Sequence, residues 1–357
     1  MNFEFRPGPV QLLMGRNGSG KSTVFEILEL VRDFAARGDR CEGRLVGRTQ
    51  TRWQEVKQQR FELEVTGNGG IYEYELLVDE WEQPDYPRVR RESISFDGKP
   101  LFKFEEGTLH LYNDQFLERV QFAFDQRRSG LAIVESRPEN KKLSWLKEWL
   151  GRLLCVQIDP KRMGARAEKE VSYPASNLAN FAEWYRHLRL ARGRLTEDIR
   201  SSLHEVISGF ESLELEEAGM NVRQLQVEIR AGDVGKGKLL RYGFDELSDG
   251  QRSLVGLYTL LHCSLVNGAT ICIDEPDNFV ALAEIQPWLS RLRDMRETGS
   301  QVLLASHHPE LLNELATHEG VVLDRVDGRQ TLVRPWAPPS DTTLTPAEIV
   351  ARGWERD

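Results

Sequence analysis

Apolar and polar residues alternate with a period that changes several times along the chain, and each change marks an element. Val10-Gln11-Leu12-Leu13-Met14 is an apolar run of the length of a buried strand. A glycine-rich stretch follows, after which Val24, Ile27, Leu28 and Val31 recur at the spacing of one helix face. Over 60–125 the period drops to two. Phe61, Leu63 and Val65, then Tyr72, Tyr74, Leu76 and Val78, then Val120, Phe122 and Phe124 alternate with polar residues, which predicts a half-exposed antiparallel sheet. Asn68-Gly69-Gly70 and Asp97-Gly98 supply its hairpin turns. Helical spacing returns from Ser129 through Leu143, Leu146 and Leu150, and again over 177–192 and 196–207. Leu213 and Leu215, then Leu225, Val227 and Ile229, read as strands, followed by a Gly- and Lys-rich turn at 233–238. Leu254, Leu257, Tyr258, Leu261 and Leu265 mark another helix, and 270–273 is a strand buried on both faces, as in a parallel sheet. A helix, a strand over 301–305, a helix from Pro309 and two strands around Val321 and Leu332 close the order. Beyond Pro335, with Pro338-Pro339, the chain reads as a loosely attached tail.

Composition narrows the class without naming a function. With 357 residues, 40% of them hydrophobic and 29% charged, the chain is globular rather than collagenous or broadly disordered. A formal charge of −9 argues against a general coat for nucleic acid. Local basic groups remain: Arg37, Arg40, Arg44, Arg48 and Arg52; Lys161, Arg162, Arg166 and Lys169; Arg186, Arg189, Arg192, Arg194 and Arg200. Each reads first as solvated surface and second as a polyanion contact. Cys41, Cys155, Cys263 and Cys272 form no C-x-x-C pair and no zinc spacing, so buried reduced thiols and a cytoplasmic location are expected. The most apolar window, 254–273, is broken by His262 and Asn267-Gly268, so no membrane span is expected.

Chemistry enters at the glycine stretch. Gly15-Arg16-Asn17-Gly18-Ser19-Gly20-Lys21-Ser22 matches the phosphate-binding pattern G-x-x-x-x-G-K-[ST], in the required order of strand, loop and helix. Curled backbone N–H groups and the positive helix end favour phosphate there. Gly15, Asn17, Gly18, Ser19, Gly20, Lys21, Ser22 and Thr23 are the expected nucleotide contacts, with Lys21 on the β- and γ-phosphates and Ser22 on magnesium. Downstream, the apolar strand Ile271-Cys272-Ile273 ends in Asp274-Glu275-Pro276. In phosphoryl transfer Asp274 would hold magnesium through water and Glu275 would orient or deprotonate the attacking water. Leu247-Ser248-Asp249-Gly250-Gln251-Arg252-Ser253 opens a helix and offers a second anion site. One nucleotide does not need two such sites, so this one is expected to complete the site of a partner copy.

With these motifs the chain resembles the ABC-type ATPases of the SMC and RecF group and the AAA-type ATPases of bacterial overcoming-lysogenization-defect and anti-phage systems. The resemblance spans nearly the whole chain. It implies an α/β fold: a P-loop NTPase with an ABC-type ATPase head, mixed sheet, antiparallel β insertion and helical lobe. The implied parts are a nucleotide core at 1–40 and 210–335, a β-rich insertion at 41–125, a helical lobe at 126–209 and a tail at 336–357. It makes Leu247 to Gln251 the ABC signature, with Asp249 where transporters carry glycine, and Asp277-Asn278 the start of the D-loop. Ser306-His307-His308-Pro309-Glu310 resembles the switch segment, which places His307 by the γ-phosphate as a catalytic partner of Glu275. A metal-sensing Q-loop glutamine is implied, with Gln126 the first choice and Gln115 the alternative.

ATP and Mg2+ are the implied cofactors, and a head-to-tail homodimer or higher homo-oligomer the implied assembly. The segment ahead of the loop, a short strand at 2–5 turned by Pro7-Gly8-Pro9, is expected to supply only part of the strand that relatives pack near the adenine. Neither a coiled-coil arm nor a fused nuclease cluster is visible. That favours an ATPase controlling a separately encoded effector in phage defence. The alternative is a DNA-engaging ATPase of repair or chromosome maintenance.

Overall fold

The computed structural model describes residues 4–41, 45, 58–79, 87–232, 237–295, 298–325, 330–338 and 342–353. Arg44, Arg48 and Arg52 of the first basic group, residues 2–3, most of the turn at 233–238, and Pro339 lie outside the described residues. The chain forms two compact units, 26–153 and 2–25 with 154–357, and helix α1, Lys21–Ala35, begins in the second and ends in the first.

The first unit is built on an antiparallel meander: β2 Gln58–Gly67, β3 Gly70–Asp79, β4 Arg88–Phe96, β5 Lys99–Glu105, β6 Thr108–Tyr112 and β7 Glu118–Ala123, paired in that order. Asn68-Gly69, Asp97-Gly98 and Glu106-Gly107 all have positive φ at both residues, as two-residue hairpin turns that match strand twist require. Alternation puts Tyr72, Tyr74, Leu76, Phe102, Phe104 and Leu109 on one face. Leu143, Leu146 and Leu150 of α2, Lys141–Arg152, and Leu30, Val31 and Phe34 of α1 share that core. Tyr72 stacks on Trp145 with ring centroids 5.1 Å apart.

The second unit is organised by a six-stranded sheet of order β16-β15-β1-β14-β13-β8. Its strands are β1 Val10–Met14, β8 Leu154–Gln157, β13 Thr270–Asp274, β14 Gln301–Ala305, β15 Gly320–Arg325 and β16 Thr331–Pro335. Neighbours run parallel except the β15–β16 hairpin. β1, β13 and β14 are fully or almost fully buried, which accounts for their unbroken apolar sequence. A second sheet holds β9 Arg166–Ala167, β10 Phe210–Gly219, β11 Val222–Ala231 and β12 Lys238–Gly243. Helices α3 Phe181–Ala191, α4 Gly193–Val206, α5 Asp249–Asn267, α6 Leu282–Asp294 and α7 Pro309–Glu319 complete the core.

Two sequence expectations are corrected. Within the expected helical lobe at 126–209, Leu154-Cys155-Val156 is a buried strand that the sequence reading did not mark, and β8 pairs in parallel with β13 as the sheet's edge. The described residues 336–338 and 342–353 are not a loose tail. Trp336 and Ile349 are buried, and α8, Pro346–Ala351, is fixed by an N-terminal capping box between Thr345 and Glu348 and by the Ala347 N–H on Asn313. The expected helical-lobe residues 126–209 are shared by the two units. Several of the described basic side chains have carboxylate or carbonyl neighbours. Arg189 pairs with Glu214, Arg200 with Glu197 and Arg162 with Asp159, and Arg186 donates to the Asn221 carbonyl. All four cysteines are buried and unbonded to one another. Among the described residues no helix is long and apolar enough to cross a membrane.

Candidate active site

Parallel pairing of β1, β14 and β13 brings three chain segments level at one edge of the sheet, since Ala305 is in register with both Leu13 and Asp274. The phosphate loop leaves β1, Glu275 follows β13, and Ser306-His307 follows β14. The Glu275 N–H donates to the Ala305 carbonyl, 2.8 Å, tying two of these ends together.

Within the loop, Gly15 has φ 140°, and a Cβ there would lie 2.3 Å from the Leu323 carbonyl oxygen, so only glycine fits. Lys21 opens α1 and is buried. Its ammonium donates to the Gly15 carbonyl at 2.8 Å and lies 2.7 Å from His307 Nε2. For that contact to be a hydrogen bond, Nε2 must carry the lone pair, which makes the imidazole neutral with its proton on Nδ1. Partial burial and then the Lys21 charge lower the His307 pKa, in keeping with that state. Desolvation lowers the Lys21 pKa, partly offset by Glu275 and Asp274.

Asp274 is buried, and one carboxylate oxygen, Oδ1, has no hydrogen-bond partner. Burial raises its pKa against the Ser22 hydroxyl and the Lys21 charge, which lower it. Glu275 is pushed up to about 7 by burial and then by the Asp277 and Asp274 charges; Lys21 and the His307 N–H act the other way. Its φ is +48°, a left-handed conformation that costs a non-glycine residue on the order of 1 kcal/mol or more. Asp277 accepts a hydrogen bond from the buried Ser306 hydroxyl, which also accepts from the His308 N–H at 2.9 Å. Ser306 thus joins the segment after β13 to the segment carrying His307.

The residues expected to form a signature are held differently. Ser248 caps α5, accepting from the Gln251 N–H at 3.2 Å, while the Gln251 side chain accepts from the Ser248 N–H at 3.1 Å. Arg252 donates to the Leu247 and Pro160 carbonyls and lies 3.5 Å from Asp249. A Cβ on Gly250 would lie 2.8 Å from the Phe279 carbonyl oxygen, so the segments expected to be signature and D-loop approach closely within one chain. Asn278 follows Glu275 in a tight turn, its N–H 3.2 Å from the Glu275 carbonyl.

The structure therefore brings Lys21, Ser22, Asp274, Glu275, Asp277 and His307 together. Gln126 and Gln115 belong to the first unit, where the Gln126 carbonyl accepts from the Val89 N–H and the Gln115 N–H donates to Asn113. Sequence reasoning did not single out Leu323 or Thr331, whose hydroxyl donates to the Ser19 carbonyl at 2.9 Å. No short motif links such residues to the groups they hold.

The family model described as "AAA domain, putative AbiEii toxin, Type IV TA system" matches residues 12–313. The chain belongs to that AAA-domain family. Its mixed α/β fold, with the phosphate loop leaving the buried strand β1, is in keeping with an AAA-type P-loop domain. The matched stretch of this AAA-domain protein runs from β1 into α7 and leaves the β15–β16 hairpin and α8 outside. Among solved structures, the SMC head domain from Thermotoga maritima is similar at 14% identity, over 92% of this chain and 90% of that one, with a TM-score of 0.45. A second, "Crystal structure of the SmcHead bound to the C-winged helix domain of ScpA", is similar at 13% identity, over 93% and 92%, with a TM-score of 0.46. At that distance neither bears on what this chain does. No curated protein matches it in sequence.

The site suits a magnesium nucleotide. Among the described residues there is no group of three or more His, Cys, Asp or Glu able to hold a metal alone. An unpartnered Asp274 oxygen near the Ser22 hydroxyl is what a cation shared with nucleotide oxygens needs. Mg2+ bound there would neutralise phosphate charge.

Proposed function

We propose that this protein binds and hydrolyses ATP and uses it as a conformational switch. The observation that carries the reading is the convergence of Lys21, Asp274, Glu275 and His307 at the level ends of β1, β13 and β14. Lys21 and the loop amides bind the phosphates. Ser22 and Asp274 hold the cation. Glu275, poised near neutrality, accepts a proton from the attacking water, and His307 contacts the γ-phosphate once Lys21 turns to the nucleotide. The second anion site at Ser248 and Gly250 supports a head-to-tail dimer with two ATP between the copies, so hydrolysis reopens the dimer. Such a switch suits control of a separately encoded effector in phage defence. The DNA-engaging alternative has less support, because Arg189 and Arg200 are already paired with carboxylates.

Phosphate release and sedimentation with ATP test this reading. The wild type should turn over ATP and shift to a dimer. Ser248→Arg should bind nucleotide as a monomer and lose turnover. Normal turnover by Ser248→Arg would rule out the composite site, and no nucleotide binding by the wild type would end the ATPase reading itself.

A further inference from the structure

The phosphate loop is braced by a part of the chain that its motif does not include. Leu323 of β15 presents its carbonyl oxygen where a side chain on Gly15 would have to be. Thr331, buried at the start of β16, donates its hydroxyl to the Ser19 carbonyl at 2.9 Å across 312 positions of sequence. Both residues lie outside the stretch that the family model matches.

We propose that Thr331 is a positioning residue of the nucleotide site, fixing the peptide between Ser19 and Gly20 so that the Gly20 N–H is presented to phosphate. This rests on the ATPase reading of the site. In a trans peptide the C=O and N–H point in opposite directions. Holding the Ser19 carbonyl toward β16 therefore aims the Gly20 N–H away from it, and that N–H has no protein acceptor among the described residues. The next peptide is fixed as well, because the Gly20 carbonyl accepts from the Val24 N–H, 3.1 Å, at the start of α1. Upstream, the Ser19 N–H closes a turn onto the Arg16 carbonyl at 3.1 Å. Gly20, at φ 105°, has little resistance of its own to peptide rotation, so an outside anchor is needed to choose one orientation. A preorganised donor costs no reorganisation when the charged ligand arrives.

Two substitutions and two readouts test the assignment. Thr331→Val keeps the shape and removes the hydroxyl, and Thr331→Ser restores it. MgADP titration should show binding weakened about tenfold in Thr331→Val and within about threefold of wild type in Thr331→Ser. In the nucleotide-free protein, amide hydrogen exchange over 15–22 should quicken in Thr331→Val and return toward wild type in Thr331→Ser. Thr331→Val with unchanged MgADP affinity and unchanged exchange would overturn the proposal. So would a lower unfolding temperature alone, the mark of a merely structural hydroxyl. If the wild type failed to bind MgADP, the ATPase reading would fall, and the exchange measurement would still decide whether Thr331 orders the loop.

Discussion

Each of the two units holds a carboxyl group whose pKa is pushed up to about 7, wholly buried in one and half-buried in the other, and the two are treated in opposite ways. Glu92, in the middle of β4, is wholly buried and accepts hydrogen bonds from the Tyr74 hydroxyl, the Ser129 hydroxyl and the Gly130 N–H. Its polar neighbours form a closed set. Glu275 sits in a left-handed backbone turn beside two further carboxylates, and adjacent Asp274 keeps an oxygen with no donor at all. A buried charge met by donors on every side holds a fold together; one left short of donors is stable only at a cost, and that cost is recovered when a ligand supplies the missing partner.

The sharpest way to test the contrast is to neutralise both groups. Glu275→Gln should lower ATP turnover by about 10²–10³-fold while nucleotide binding persists, as phosphate release and MgADP titration would report. Undiminished turnover would remove Glu275 from the chemistry. In the first unit, Glu92→Ala strands three buried donors and should cost about 3 kcal/mol in urea unfolding, with turnover per folded molecule unchanged.

Titration gives a smaller effect whose sign can be worked out. The folded pKa of Glu92 lies above the model-peptide value of 4.5, so its contribution to stability is full below pH 4.5 and lost as pH rises through about 7. Between pH 5.5 and 8 that amounts to about 2 kcal/mol. Comparing wild type with Glu92→Gln isolates the effect from His262 and His307, whose lowered values tilt stability the other way. Smallest of all, Asp274→Asn should raise the unfolding stability of the nucleotide-free protein by about 1 kcal/mol while abolishing magnesium-dependent nucleotide binding. A loss of stability would mean that Asp274 is satisfied after all.

Much of this was legible from sequence because it is local. A strand, a glycine loop and a helix within 10–35, or two acids at the end of an apolar run, announce themselves without knowledge of the fold. Asn68-Gly69 and Asp97-Gly98 were readable as turns by composition. The third hairpin, Glu106-Gly107, uses a residue that seldom adopts positive φ and escaped notice. β8 was hidden because its four residues follow α2 almost directly, with no turn residue between helix and strand. The capping box at Thr345-Pro346-Ala347-Glu348 was written in the sequence, yet the prolines before it drew the reading toward a loose tail. Thr331 could not have been found at all. Its partner is a backbone carbonyl, which leaves no trace in residue type.

Strand β1 lies between β14 and β15, both of which belong to the last sixth of the chain. During synthesis the phosphate loop is made well before either of its flanking strands and waits for both. At roughly 5–20 residues per second, the 312 positions separating Ser19 from Thr331 take about 15–60 s to make. Until β14 and β15 are made the loop lacks the strands that flank β1, and until Thr331 follows them the nascent chain carries an incomplete nucleotide site. Truncated products that end before β14 would share that defect, so loss of nucleotide binding would mark every chain that stops short of both strands.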